Sequence, residues 1–296
     1  MLLCGGTAAA AAVAAEPPLH AGVQLFSPAF GSSMVLQRAP ARAAVYGTVN
    51  GTAGAVTVEV TGAANVKYSV AATITGQSWK ALLRPEAAGG SYTITATMGA
   101  ATSTLTDVTF GDVWYCSGQS NMALPLVHTV SRNDSIAAIA SGRYSNIRLY
   151  GLQGNMNADQ PWATLKDAIA AGTFERYSST CYYYGESLTD ELGGTAAPPI
   201  GLIHTAWGGS TIEQWLDNQT ISTCSNATLS PQNQEYHENR VLPWMDMTIK
   251  GWVWCKHDHP SSLQSLLPAD GMHALARQPD NNDSTAASCA DRSRRE

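Results

Sequence analysis

Charge is what this chain has least of. Asp, Glu, Lys and Arg make up only 14% of its 296 residues, against roughly a quarter in ordinary globular domains. What charge there is sums to -6, so no basic surface is on offer and nucleic acid is excluded as a partner. Six cysteines are too few for a disulfide scaffold. His257 and His259 resemble a metal pair, but no third ligand stands near them, and no metal or other cofactor is implied. There is no internal repeat, and after the N-terminus no apolar run is long enough to span a bilayer. Hydrophobic residues at 44% nonetheless suffice for a core, and the length suits one large or two ordinary domains.

The first residues, MLLCGGTAAAAAVAAEPP, read as a secretory signal covering 1–15. The apolar stretch ends in the small-residue pattern Ala12-Val13-Ala14, although Lys and Arg are missing near the start. Asn-x-Ser/Thr triplets begin at Asn50, Asn133, Asn218, Asn226 and Asn282 and fit the same route, to a secreted, lysosomal or extracellular destination. With the signal removed, no membrane partner is expected. Cys116 lies in an apolar run and reads as a small buried hydrophobe. Cys181 and Cys224 are available to pair in an oxidising compartment, which spacing alone does not decide.

Residues 21–110 read as a small β-sandwich. Val56, Val58 and Val60 alternate with Thr57, Glu59 and Thr61. Tyr92, Ile94, Ala96 and Met98 alternate with threonines. Period-two patterning buries one face of a strand and wets the other. Asn50-Gly51 and Gly89-Gly90 supply turns. From 111 the pattern changes to α/β. Asp112–Ser117 is a short apolar strand, Ser179–Leu192 a helix stopped by Gly193-Gly194, and Ile200–Ala206 a second buried strand. Ser210 and Glu213 match a capping box opening another helix, and Met247–Trp254 reads as a third strand. Such units build a parallel sheet whose site lies at the strand C-termini. Residues 255–296 are polar, aperiodic and read as a disordered tail.

Gly118-Gln119-Ser120-Asn121-Met122 follows the first α/β strand directly. A serine on a strand-to-helix turn stands above the sheet, beside backbone N–H groups that stabilise negative charge. The same five residues also fit a polar loop with a helix cap. Met122 takes the place of the second glycine of a Gly-x-Ser-x-Gly elbow, which speaks against an ordinary α/β-hydrolase. Trp207-Gly208-Gly209-Ser210 follows the second strand, where glycine lets backbone approach a ligand closely. It also fits a tight turn that merely permits packing.

Four segments together resemble the sialate O-acetylesterase family, in the family's order: FGSSMVLQRAPARAAVYG (30–47), GDVWYCSGQSNM (111–122), PIGLIHTAWGGSTIEQW (199–215) and MTIKGWVW (247–254). The resemblance implies an SGNH-type α/β hydrolase domain, of which 111–254 is a part, preceded by the sandwich. It also implies an acetylated carbohydrate as substrate and no cofactor. It makes Ser120 the nucleophile and the N–H groups of Ser120 and Gly209 oxyanion donors. The family's Tyr-Gln-Gly-Glu-x-Asn segment does not follow Trp254, where Cys255-Lys256-His257-Asp258-His259-Pro260 stands instead. An Asp-x-x-His match at Asp270-Gly271-Met272-His273 makes His273 a candidate base and Asp270 its orienter, and is also a pattern that arises by chance. His204, after a buried strand, reads as structural, while His128 and His237 match no family catalytic position. The abrupt stop after Trp254 reads as a C-terminally truncated chain, expected to be weakly active or inactive. The competing expectations are a secreted glycan-binding protein that keeps the fold without turnover, and a structural sandwich module.

Overall fold

The computed structural model describes residues 25–49, 54–62, 66–152, 159–223, 234–255 and 287–288. The strands are β1 (Val35–Gln37), β2 (Ala44–Thr48), β3 (Thr57–Gly62), β4 (Lys67–Ala71), β5 (Thr73–Thr75), β6 (Ser78–Leu82), β7 (Gly89–Met98), β8 (Ala101–Gly118), β9 (Ile147–Leu152), β10 (Asp159–Thr164), β11 (Ile200–His204) and β12 (Gly251–Cys255). The α-helices are α1 (Ser120–Ala123), α2 (Arg132–Ala140), α3 (Leu165–Ala170), α4 (Ser179–Glu191) and α5 (Asn218–Ser222). The fold is α/β, with a large mostly parallel sheet and a small antiparallel part before it.

β8 joins the two parts. Its first half pairs antiparallel with β7 and continues through β3 to β4. Its second half lies between β11 and β12, parallel to both. β9 extends the parallel region beyond β11, and β10 closes that side antiparallel. The change of pattern at residue 111 therefore falls inside one continuous strand. β2, β6 and β5 form a separate antiparallel sheet, whose Val45, Trp79 and Ala81 share a core with Val58, Val60 and Ile94 of β3 and β7. The Ala287–Ser288 pair runs parallel to β12.

The two-residue period of β8 sends alternate side chains into two cores. Val113 and Tyr115 face a cluster shared with Phe26, Val45, Trp79, Val58 and Ile94 of the sandwich. Trp114 and Cys116 face a second cluster with Leu165, Phe174, Tyr182 and Leu202. Because most of these side chains are almost fully buried, each contributes roughly 1.5–3 kcal/mol of transfer free energy. Val56, Val58 and Val60 are buried while Thr57 is exposed, as the alternation requires.

α4 starts where Ser178 Oγ accepts from the Cys181 amide at 3.0 Å, an N-cap. It ends at Gly193, whose φ of +108° is a left-handed conformation that glycine adopts cheaply. Four local expectations need correcting. Gly89-Gly90 is an irregular start to β7, with a register shift before Tyr92, rather than a turn. The third strand begins at Gly251, because Thr248 is occupied bonding to Arg42 and Ala44 in the sandwich. The capping box is Thr211 with Gln214, and it opens only a 3-10 turn, Ile212–Trp215. Cys116 is no lone hydrophobe, since it forms a disulfide with Cys181 across the β8–α4 interface. Asn50-Gly51, the signal segment and Cys224 lie outside the described residues.

Candidate active site

The C-terminal ends of β8, β11 and β12 share one edge of the parallel sheet. Gly118 leaves β8 with φ +131°, and its missing side chain is required: a Cβ there would lie 2.0 Å from the Cys255 carbonyl oxygen of β12. The Gln119 amide donates to that same oxygen at 3.0 Å. Pinned in this way, the chain turns into α1 with Ser120 exposed at its first position. The Met122 and Ala123 amides both donate to the Gln119 carbonyl at 2.9 Å. The amides of Ser120 and Asn121 come earlier in the turn, where a helix offers no internal acceptor.

The loop after β11 arrives at the same place. Thr205 and Trp207 amides donate to the carbonyls of Cys116 and Gly118, both at 3.0 Å. A Cβ built on Gly208 would stand 3.8 Å from Ser120 Cα. Gly209 follows at φ +79°, facing open space. Ser210 is a positioning residue of this loop: its Oγ donates to the Trp207 carbonyl at 2.8 Å and accepts from Trp215 Nε1 at 2.9 Å. The structure thus brings Ser120 and the Gly208–Gly209 loop together. Asp270 and His273 lie outside the described residues.

Sequence reasoning missed the support behind Ser120. Ser178 Oγ donates to the Met122 carbonyl at 2.6 Å, Ser179 Oγ to that of Leu124 at 2.9 Å, and Thr180 Oγ1 to that of Asn121 at 2.8 Å. With the Cys116–Cys181 disulfide, the first turn of α4 holds the α1 segment from both sides of Ser120. A helix was expected from Ser179, but nothing local said what the hydroxyls of Ser178, Ser179 and Thr180 would bind.

The described histidines sit elsewhere in chemical terms. His204 is buried with its ring centroid 5.6 Å from that of Tyr177. His128 is exposed at the end of a 3-10 turn. His237 lies near Asp217, whose carboxyl is opposed by burial but held below the usual range by the Thr220 amide and hydroxyl, with His237 adding attraction. Beneath the Gly208 loop, burial pushes the Tyr115 phenol up to about 12, so it remains a proton donor at working pH. Among the described residues no group of His, Cys, Asp and Glu could hold a metal ion. A cleft of about 790 Å³ opens between the outer face of β2–β6–β5 and the 242–246 turn. It contains neither Ser120 nor Gly209, so the chemistry-bearing residues, not the cleft, define the candidate site.

No protein-family model matches the chain. It is 30% identical over 257 residues to the sialate O-acetylesterases of Homo sapiens and Pongo abelii, covering 77% of this chain and 47% of each relative. The Rattus norvegicus sialate O-acetylesterase is 31% identical over 208 residues, covering 64% of this chain and 37% of its own. The chain therefore spans about half the length, or less, of the curated relatives it matches. Among solved structures, a carbohydrate acetylesterase from Xanthomonas citri superposes with a TM-score of 0.60 at 25% identity, over 78% of this chain and 50% of that one. The motifs that meet at the sheet edge, the shared fold and these alignments agree: the chain belongs to the sialate O-acetylesterase family.

Proposed function

We propose that the protein is a serine ester hydrolase that removes O-acetyl groups from sialic acid or a related acetylated sugar. Ser120 Oγ attacks the acetyl carbonyl while a base takes its proton. The N–H groups of Ser120 and Gly209 hold the oxyanion, and the sugar hydroxyl leaves with the proton. Water then attacks the acetyl-serine, releasing acetate and restoring Ser120. The observation that carries this reading is the seating of Gly208 against Ser120 Cα, which sets glycine backbone without a side chain beside an exposed serine.

His273 as base and Asp270 as its orienter complete the proposal. We place part of the esterase domain, with Ser120 and Gly209, in 111–254, the Asp270–His273 pair after it, and a sandwich module in 21–110. No helix among the described residues is long and apolar enough to cross a membrane. Asn133 and Asn218 are exposed at their glycosylation triplets, which supports a secreted or lysosomal destination. The test is acetate release from an O-acetylated sialic acid by parent and Ser120→Ala. Loss of roughly a thousandfold or more is expected with the melting temperature unchanged; equal rates would remove Ser120 from the mechanism.

A second reading is a secreted glycan-binding protein without turnover. It is favoured by the described histidines, since His204 is buried against Tyr177 and, among the described residues, no hydrogen bond runs from His128 or His237 to Ser120. Binding of the acetylated sugar with no acetate release, in parent and Ser120→Ala alike, is the outcome it requires.

A further inference from the structure

The two loops at the site are joined underneath by a buried polar chain that the catalytic reading does not use. Ser117 is the penultimate residue of β8, just ahead of the Ser120 turn, and Thr205 follows β11 just ahead of Trp207-Gly208-Gly209. Strand parity puts Tyr115, Ser117 and Thr205 on the face opposite the Cys116–Cys181 disulfide. Thr205 Oγ1 lies 2.7 Å from the Tyr115 hydroxyl and 3.0 Å from Ser117 Oγ. Tyr115 in turn donates to the Arg240 carbonyl at 2.6 Å. Arg240 returns the link, because its Nη1 donates to the Thr205 carbonyl at 2.9 Å. Its guanidinium also lies 4.5 Å over the Trp207 ring and 5.6 Å over that of Tyr236, close enough for cation–π attraction. Tyr115, Ser117 and Thr205 are almost wholly buried, and Arg240 is 8% exposed.

We propose that this Ser117–Thr205–Tyr115–Arg240 network fixes the gap between the Ser120 turn and the Gly208–Gly209 loop, with Arg240 as a positioning residue. The inference rests on the proposed catalytic roles of those two loops. The physical reason is the cost of slippage. Sliding β11's exit along β8's exit would strand several buried donors and acceptors at once, each expensive to leave unpaired. The alternatives are thereby suppressed, and the gap is set by bonded geometry rather than by loop packing alone. Arg240 grips the loop twice, at the Thr205 carbonyl and at the Trp207 face, so one side chain fixes both the start of the loop and its aromatic anchor. Reaction rates respond to a misplacement of roughly 1 Å by up to about a hundredfold, so the network belongs to the chemistry although none of its side chains needs to touch substrate.

The experiment uses the full chain with Tyr115→Phe, Thr205→Val, Arg240→Met and Arg240→Lys. Steady-state hydrolysis of p-nitrophenyl acetate is one readout and segment-resolved amide hydrogen exchange the other. The expected result is a fall in kcat of about tenfold to a hundredfold with KM within about twofold of the parent, partly recovered by Arg240→Lys over Arg240→Met. Amides in 118–123 and 205–211 are expected to exchange faster together, while those of β3, β4 and β7 keep their protection. Parent values of kcat, with unchanged exchange in both loops, would overturn the proposal. If Ser120→Ala hydrolyses as fast as the parent, the functional reading fails. The exchange data then decide the network alone, with coordinated loosening supporting it and no change overturning it. Tyr115→Phe removes a single oxygen, so loss of protection throughout that variant also overturns the proposal, since the network would then hold the fold and not the gap.

Discussion

At residue 118 the backbone has no room for a side chain, and the neighbouring glycines of the site differ from it in kind. Gly118 combines φ +131° with a Cβ position 2.0 Å from a carbonyl oxygen. Gly118→Ala is expected to destabilise by at least about 2 kcal/mol, because backbone must move to relieve it. Gly209→Ala meets only the strain of φ +79° in open space, about 1 kcal/mol. Gly208→Ala adds a methyl at ordinary contact distance from Ser120, so its stability is expected within about 0.5 kcal/mol of the parent. Urea midpoints should rise in that order, with Gly118→Ala lowest. A Gly118→Ala chain as stable as Gly208→Ala would contradict the packing described for the Ser120 turn.

At the scale of elements, α4 is the clamp. Its first turn binds the α1 segment through the hydroxyls of Ser178, Ser179 and Thr180, and its Cys181 ties it to β8 over a sequence separation of 65. Replacing Cys181 with serine is expected to cost about 2–4 kcal/mol, read as a lower melting temperature, and to match the effect of reducing the parent with a thiol. Equal melting of oxidised and reduced parent would argue against the bridge. This element also marks the limit of what the sequence made legible. The end of α4 could be read from its closing glycines, and β3 and β7 from alternation, because those signals are local. The Cys116–Cys181 pairing could not, because it depends on how α4 crosses β8, and that is fixed by distant contacts such as Gly185 against Leu202. The capping box was displaced by one residue for a related reason: Ser210 has its hydroxyl committed to Trp207 and Trp215, which leaves Thr211 to cap. Of the site, Ser120 and Gly209 were visible as motifs, whereas the buried Tyr115–Thr205–Arg240 links join segments far apart in the chain.

For the molecule as a whole, the shared strand and shared core couple the sandwich to the α/β sheet. β8 runs through both, and Tyr115, Tyr150, Ile203 and Trp244 pack in one cluster with Phe26, Val45 and Trp79. Heat is therefore expected to unfold both parts in one transition, with circular dichroism and tryptophan fluorescence giving coincident curves. Two separated steps would show the parts to be independent. Alkali gives a second check. Burial raises the Tyr115 and Tyr184 phenols to about 12 and that of Tyr177 well above its usual value. Above about pH 10 the unfolded chain ionises phenols that the folded chain keeps protonated, so stability should be full below that pH and fall as pH rises toward about 12. Tyrosinate absorbance from the buried set is expected to appear together with loss of circular dichroism, and its gradual appearance in a folded chain would count against the burial described.

The claim that Ser120 is the nucleophile is tested most directly by trapping the intermediate. The chain is mixed with O-acetylated sialic acid, quenched in acid during turnover, and the peptide carrying Ser120 is examined by mass spectrometry. An acetyl group on Ser120 is the expected result, absent in Ser120→Ala, whose acetate release should fall with it. Turnover with Ser120 unmodified, or persisting in Ser120→Ala, would contradict the account.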